Sequence, residues 1–373
     1  MSKEIKFNVR LNVDGKEQLV TAAMSAEELG RNLEEAKGKA GQMRDALVTF
    51  TQSVQKMQYI AGAVSQISNA LNTLTADSRK FDDAMKAANT MAGKDVEGFG
   101  RLKDQVAELG KAIPLTRDQL ANGLYQVISN GVPEDNWIEY LEKSAKASVG
   151  GIADVGEVVK VTSTLIKNYG KDWSDAGSIQ DKIQLAAKNG VTSFEQLAQA
   201  LPRVGGNAAT LGVELDELLA TFATLTGVSG NTSEVATQMA AVFTALVKPS
   251  SEAADMAEKM GITFNAASIK AAGGLQSFLE QLDKSVKTYA RSSGMLEQEV
   301  YGKLFGSAES LRAIGPLTGN LAETFAKNTE SMKNSAGTIE DAFGQMADTG
   351  EARLQRLQNA FGLQMGSAAC CRC

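Results

Sequence analysis

The residues most able to support chemistry in this chain are clustered carboxylates. They form two sets, Asp82 with Asp83, and Glu214 with Asp216 and Glu217. Two acids suffice for glycoside hydrolysis, in which one protonates the leaving group and the other acts as base or nucleophile. Each set adjoins apolar positions with helical spacing, which is typical of the solvated face of an amphipathic helix. We therefore expect no catalytic role for either set.

The three cysteines offer a different chemistry, because thiolates bind zinc and copper(I). They are Cys370, Cys371 and Cys373, all within the last four residues. A fourth metal ligand would have to come from another chain or from solvent, and ordering a flexible terminus costs entropy. Oxidation or disulfides between chains are favoured over a metal site, so no cofactor is expected. Because the cysteines are clustered at one end of the chain, the fold should need no disulfide framework.

The chain contains no histidine. This excludes the Ser-His-Asp and Cys-His nucleophiles and the HExxH zinc site. No GxxxxGK[ST] phosphate loop is present either, and we interpret the glycines Gly302 and Gly306 as marking a helix end. The sequence therefore predicts a protein that is not an enzyme.

Composition excludes further classes of function. The chain has 38 basic and 44 acidic residues, a net charge of −6, which is unsuited to binding nucleic acid by phosphate neutralisation. The N-terminus has no apolar stretch of signal-peptide length, and no window approaches the ~18 apolar residues of a membrane helix. We expect no specific nucleic-acid site and no transmembrane segment.

The N-terminal residues alternate between apolar and polar side chains up to Val20, with Asp14–Gly15 as a two-residue turn. This pattern predicts a β-hairpin over residues 1–24. An isolated hairpin is only marginally stable in water. Two interpretations stay open, a small surface hairpin and an assembly element that pairs with another chain.

A heptad seam follows, with apolar residues at alternating spacings of three and four and one extra three-residue step after Met57. The pattern predicts a long coiled-coil-like helix over residues 25–93. It fits either one amphipathic helix that folds back on its own core or a self-associating coiled coil, and the strict spacing favours self-association. Trimers are the expected oligomer. The residues expected to hold copies together are Leu47, Phe50, Val54, Met57, Val64, Ile67, Leu71 and Leu74.

The rest of the chain has helical periodicity interrupted by glycines. Helix starts are predicted where a hydroxyl residue is followed by an acid or amide three residues later. The pairs with this spacing are Thr116 with Gln119, Ser178 with Asp181, Thr192 with Glu195, and Thr338 with Asp341. The β-branched run Val158–Leu165 is interpreted as a buried helix rather than a strand, and the last helix is expected to end near Gly362.

These patterns predict an all-α fold with an N-terminal β-hairpin, a long coiled-coil-like helix, a compact multi-helix core and C-terminal helices. The predicted domains are 1–24 (hairpin), 25–93 (long helix), 94–274 (helical core), 275–366 (C-terminal helices) and 367–373 (cysteine-containing tail).

Three blocks of sequence between Asn168 and Phe264 carry a family resemblance. They read AAKNGVTSFEQLAQAL, GGNAATLGVELDELLATFATLT and QMAAVFTALVKPSSEA, in that order. In this order they resemble the core domain of bacteriophage tail tape measure proteins, and the resemblance extends over residues 81–306. It implies a structural protein of a phage or prophage tail, in a short or truncated form, that sets the length of the tail tube and is released on DNA ejection.

The resemblance also implies partners and a location. The partners are further copies of the chain, the tail tube protein, tail assembly chaperones, and baseplate or tail-tip proteins. The location is the lumen of the virion tail after assembly in the host cytoplasm. An alternative function is that of an internal component of a related contractile or toxin-delivery particle.

Overall fold

The computed structural model describes residues 4–13, 16–25 and 77–370. The chain divides into two compact units, Met1–Asp77 and Ser78–Cys373. In the first unit, strands β1 (Glu4–Val13) and β2 (Lys16–Ser25) pair in an antiparallel sheet. Most of the helix predicted over residues 25–93 lies outside the described residues, and residues 77–92 are helical.

The described residues of the second unit are all-α, which confirms the predicted class for this part of the chain. Its helices are α1 (77–92), α2 (Val96–Ala112), α3 (Arg117–Ser129), α4 (Trp137–Gly151), α5 (Val155–Tyr169), α6 (Ala176–Asn189), α7 (Phe194–Ala200), α8 (Gly205–Thr210), α9 (Leu215–Ser229), α10 (Thr232–Val247), α11 (Ser251–Lys259), α12 (Ala266–Ala272), α13 (Leu275–Ser293), α14 (Glu297–Phe305), α15 (Ala308–Thr318), α16 (Ala322–Met332), α17 (Thr338–Ala347) and α18 (Gly350–Cys370). Short 3-10 turns lie at Glu134–Asn136, Trp173–Asp175 and Leu201–Arg203.

Local signals explain several helix boundaries. The Thr116 hydroxyl accepts a hydrogen bond from the Gln119 amide at 3.4 Å, and the Gln119 side chain accepts from the Thr116 amide at 2.9 Å, which confirms the predicted capping box. Gly306 ends α14 with a φ of 69°, as predicted. The run Val158–Leu165 lies inside α5, so its interpretation as a helix is also confirmed.

The predicted start at Thr192 is wrong by one residue. Ser193 is the N-cap of α7, because its hydroxyl accepts from the Gln196 amide and the Gln196 side chain accepts from the Ser193 amide, both at 3.2 Å. Two hydroxyl residues in succession, each followed three residues later by a suitable partner, make the sequence signal ambiguous. The Thr192 hydroxyl instead hydrogen bonds to that of Thr232 at 2.6 Å.

The core is centred on α9 and α10. Helix α9 is buried around most of its circumference, which is the pattern of a helix enclosed by others. It packs on α6 and α16, and α10 packs on α15. Phe222 and Phe243 are fully buried between these helices. Helices from the predicted 94–274 and 275–366 regions therefore pack on one another within one unit.

The C-terminal helices return to the beginning of this unit. Helix α17 packs on α4, and α18 packs on α2. The approach of α17 is close, because a Cβ at Gly150 would lie 2.9 Å from the Phe343 amide nitrogen. The prediction that the last helix ends near Gly362 is wrong, since α18 continues to Cys370. A glycine inside a helix costs only about 1 kcal/mol, and good helix formers follow this one.

Candidate functional site

The carboxylate cluster predicted as a solvated face lies at the start of α9. Glu214 is exposed and precedes the helix, Asp216 is half-buried, and Glu217 is buried with 6% of its surface exposed. The Glu217 side chain also accepts a hydrogen bond from the Glu214 amide at 3.3 Å. The prediction of a solvated face is therefore right for Glu214 and wrong for Glu217.

Glu217 is buried because it caps a helix elsewhere in the chain. Its two carboxylate oxygens accept hydrogen bonds from the amides of Leu275 and Gln276, each at 2.9 Å. These are the first two residues of α13, whose unpaired amides and positive dipole end favour a negative charge. The contact replaces the hydration that the carboxylate loses on burial, and it fixes the start of α13 against the start of α9.

A glycine makes this contact possible. Gly274, directly before α13, has a φ of 122°, and a Cβ at this position would lie 2.5 Å from Oε1 of Glu217. A side chain at residue 274 would therefore both strain the backbone and displace the carboxylate. Gly273 also has a positive φ, 94°, but a Cβ there would meet nothing closer than the Ser277 hydroxyl at 3.9 Å.

The neighbouring charges are paired as well. Asp216 forms an ion pair with Lys182 on α6, and both side chains are about one-fifth exposed. The Tyr169 hydroxyl is buried nearby and has no hydrogen-bond partner among the described residues. Its pKa is raised above the ordinary value, first by burial and then by the negative charges of Glu214, Glu217 and Asp216. The phenol therefore stays protonated at neutral pH.

The three acids and Lys182 border an open cleft of about 520 Å³ between α6, α9, α13 and α16. Its rim is polar, and Lys333 on this rim is paired with Glu330 at 2.6 Å. Hydrolysis of a glycoside requires a carboxyl group free to donate a proton and a second one free to act as base or nucleophile. Both Glu217 oxygens accept from helix amides and Asp216 is paired with an ammonium, so both acids are engaged in contacts between helices.

The other acidic pair, Asp82 and Asp83, lies on α1. Asp82 forms an ion pair with Lys103 at 2.6 Å, and Asp83 lies 3.9 Å from Lys86. Their side chains are 46% and 79% exposed, which confirms that this pair lies on a solvated face.

A second carboxylate caps a distant helix. Asp181 on α6 accepts hydrogen bonds from the amides of Gly337 at 3.0 Å and Ile339 at 2.8 Å, at the start of α17. The predicted pairing of Ser178 with Asp181 is therefore wrong, because both residues lie inside α6. The predicted start at Thr338 also needs correction: the N-cap of α17 is Gly337, and the capping carboxylate comes from another helix.

Sequence reasoning missed both caps. Glu217 and its partners are separated by 58 and 59 residues, and Asp181 and its partners by 156 and 158. The only local signal is a glycine before each capped helix, Gly274 and Gly337, in place of a hydroxyl or acidic residue.

A smaller concavity of about 350 Å³ lies where α3, α4, α5, α7 and α17 meet. Ile152 on its edge is 71% exposed and has a φ of 52°. A β-branched residue in this left-handed conformation is strained, because its Cβ approaches the following carbonyl oxygen.

The eight residues of the predicted seam, Leu47 to Leu74, lie outside the described residues. Cys371 and Cys373 lie outside them as well, and the backbone of Cys370 is the last residue of α18. Within the described part of the chain, no three cysteine or acidic side chains are grouped as metal ligands. None of the described helices combines the length and apolar character needed to cross a bilayer.

Comparison with known proteins identifies relatives. A profile of the family described as phage-related minor tail protein matches residues 103–306. Over 343 residues, 89% of its length, the chain is 23% identical to a probable tape measure protein of Clostridium phage phiCD119. Over 288 residues, 76% of its length, it is 21% identical to the tape measure protein of Pneumococcus phage Dp-1.

The aligned regions make up 36% and 24% of these two relatives, so the chain spans about a third and a quarter of their lengths. No solved structure matches the chain.

Proposed function

Because this chain belongs to the phage-related minor tail protein family, we propose that it acts as a tail tape measure protein that sets the length of the tail tube. The observation that carries the proposal is the alignment of most of the chain with two phage proteins that are named for this role. The long helix predicted over residues 25–93 suits this role, because a helix advances a fixed ~1.5 Å per residue and so converts chain length into distance.

The two parts of the chain make different contributions to this role. Helices α1 to α18 are packed into a compact unit and do not form a straight rod while they stay folded. The part of the predicted long helix that precedes this unit, residues 25–76, would span about 80 Å, and we assign the measuring length to it.

The role is structural rather than catalytic in this proposal. The buried Glu217 and the half-buried Asp216 are both engaged in contacts between helices, which supports it. Copies would assemble in the host cytoplasm with the tail tube protein, assembly chaperones and baseplate or tail-tip proteins. They would occupy the lumen of the virion tail and leave it during DNA ejection.

Self-association through the predicted seam completes the proposal, with trimers as the expected state. The proposed domains keep the boundaries 1–24, 25–93, 94–274, 275–366 and 367–373, and the N-terminal hairpin would pair with another chain. Changing Val54 and Ile67 to Asp places charges in the seam, and we expect light scattering to show dissociation while circular dichroism shows the compact unit still folded.

The matched control changes Gln52 and Asn69 to Asp, which adds the same charge on the predicted outer face. It should leave the molar mass unchanged. An oligomer that survives the Val54 and Ile67 substitutions would contradict the seam.

The tape measure role is tested by changing the length of the chain in the phage that encodes it. Insertion of three helical heptads within residues 26–76 should lengthen the tail by about 32 Å, measured by electron microscopy. The control places the same insertion after Gly294, in the turn between α13 and α14, where it extends no rod. Equal tail lengths with and without the first insertion would contradict the proposal.

A further inference from the structure

The last two described helices are attached to the second unit in an unusual way. Of the apolar side chains in residues 338–360, those of Ile339, Ala347 and Ala352 are buried, and only Ile339 belongs to the continuous core. Leu354 is 55% exposed and Met346 is 37% exposed. Since apolar burial is the main favourable contribution to folding, this segment contributes little to the stability of the core.

Polar contacts attach it instead. Asn359, with 3% of its surface exposed, donates hydrogen bonds to the carbonyls of Gly110 at 2.8 Å and Leu115 at 2.7 Å. These carbonyls lie at the C-terminal end of α2 and just beyond it, where a helix leaves acceptors unpaired. The amide of Asn359 thus satisfies two acceptors of another helix, and its own oxygen accepts from Gln355 at 3.1 Å.

The other end of the segment is attached by charge. Asp181 caps α17, and Lys146 on α4 lies 3.4 Å from Glu340. The Glu340 side chain is 65% exposed, so water competes with this ion pair.

The two helices are also joined to each other. The Arg356 guanidinium donates to the carbonyl of Ala347, the last residue of α17, at 3.0 Å, and Arg353 donates from Nε to Asp348 at 3.2 Å. The link to α16 contains the exposed residues Lys333, Asn334, Ala336 and Gly337 around the buried Ser335, and Gly337 has a φ of 83°. The segment therefore has internal contacts, a short and mostly exposed link, and few buried apolar contacts with the core.

We propose that α17 and α18 form a clasp that opens as a unit from the link at residues 333–337 while α2 to α16 stay folded. Opening exposes the Gly150 face of α4 and the carbonyls at the end of α2, and it frees α18, whose 21 residues are ~32 Å long. Opening of the clasp converts part of a compact unit into an extended arm. This opening does not depend on the tape measure role.

Hydrogen–deuterium exchange of the full chain, followed by mass spectrometry at low denaturant concentrations, tests the clasp. Amides of residues 338–360 should exchange together, through openings at least about tenfold more frequent than those of residues 218–226 in α9. Exchange of both regions at one rate, with one dependence on denaturant, would overturn the proposal.

A pair of variants separates opening of the clasp from general loss of stability. Asn359→Ala removes the hydrogen bonds to the carbonyls of Gly110 and Leu115 and should raise exchange in residues 338–360 by about tenfold, with α9 unchanged. The matched control is Asn328→Ala, which removes a buried Asn on α16 that donates to the Thr224 hydroxyl on α9 at 2.9 Å. This control should raise exchange in α9 and α16 instead. Equal acceleration of α9 and residues 338–360 in Asn359→Ala would contradict the clasp.

Discussion

Two carboxylates of this protein cap helices far along the chain, in very different surroundings. Glu217 is buried in the central core and binds the start of α13, whereas Asp181 is half-buried at the edge and binds the start of α17. Each accepts two backbone amides at the start of the helix that it caps, at 2.8 to 3.0 Å, so the hydrogen-bond lengths are similar. Water competes only for the hydrogen bonds of the half-buried Asp181. Hydrogen bonds of similar length therefore contribute unequally to stability at the two caps.

The helices around the two caps also differ in how much of their surface is buried. Helix α9, which carries Glu217, is enclosed by α6, α10 and α16. Helix α17 rests on α4 with the half-buried Ala342 and Phe343 against Gly150, and its outer face is in water. Substitutions in the first region should therefore affect the whole second unit, and those in the other region should have small effects.

The largest effect is expected in α9. Phe222→Ala removes a fully buried ring and should lower the free energy of unfolding by about 3–5 kcal/mol, because the lost burial is compounded by a cavity. Chemical denaturation measures it. Phe343→Ala, in α17, is the matched comparison and should cost less than half as much. Equal costs would show that the two regions are equally integrated.

The buried cap should show its effect at the glycines before α13. Gly274→Ala should cost about 2–4 kcal/mol, since it adds backbone strain and displaces the Glu217 carboxylate. Gly273→Ala, which adds strain alone, should cost about 1–2 kcal/mol by the same measurement. If the two variants were equally stable, the close approach of Gly274 and Glu217 would contribute nothing to the free energy of unfolding.

The half-exposed cap should matter less. Asp181→Ala should lower the free energy of unfolding by about 1 kcal/mol, a typical value for a lost helix cap. Ser178→Ala, one turn earlier on α6, should stay within about 0.5 kcal/mol of the wild type. A large effect of Ser178→Ala would instead support the local capping pair of Ser178 with Asp181 that the sequence indicates.

The smallest effect should have the opposite sign. Ile152→Gly removes the strain of a left-handed β-branched residue and should stabilise the protein by about 0.5 kcal/mol, after the entropy of glycine in the unfolded chain is subtracted. Val191→Gly, at a position that is 59% exposed with ordinary backbone geometry, should destabilise it. A loss of stability in both variants would mean that Ile152 makes contacts that outweigh its strain.

The sequence predicted the features that depend on nearby residues. The box at Thr116, the helical Val158–Leu165 run and the helix end at Gly306 all follow from partners within one or two turns. The burial of Glu217 was not predictable, because its partners are 58 and 59 residues away and a carboxylate near apolar positions normally faces water. The predicted start of α17 at Thr338 was wrong for the same reason, because its capping carboxylate, Asp181, is distant in sequence. The seam at Leu47 to Leu74 stays a prediction.

The distance between Glu217 and its partners has a consequence for synthesis on the ribosome. Glu217 emerges long before Leu275 and Gln276, and until these amides arrive the Glu214 amide, at 3.3 Å, is the one backbone donor in place to replace the water around its charge. Helix α9 therefore cannot complete its burial while it is the newest part of the nascent chain. The burial of α9, the central helix of the core, requires about 60 further residues to be synthesised. The core is therefore completed late in translation, although its central helix is synthesised earlier.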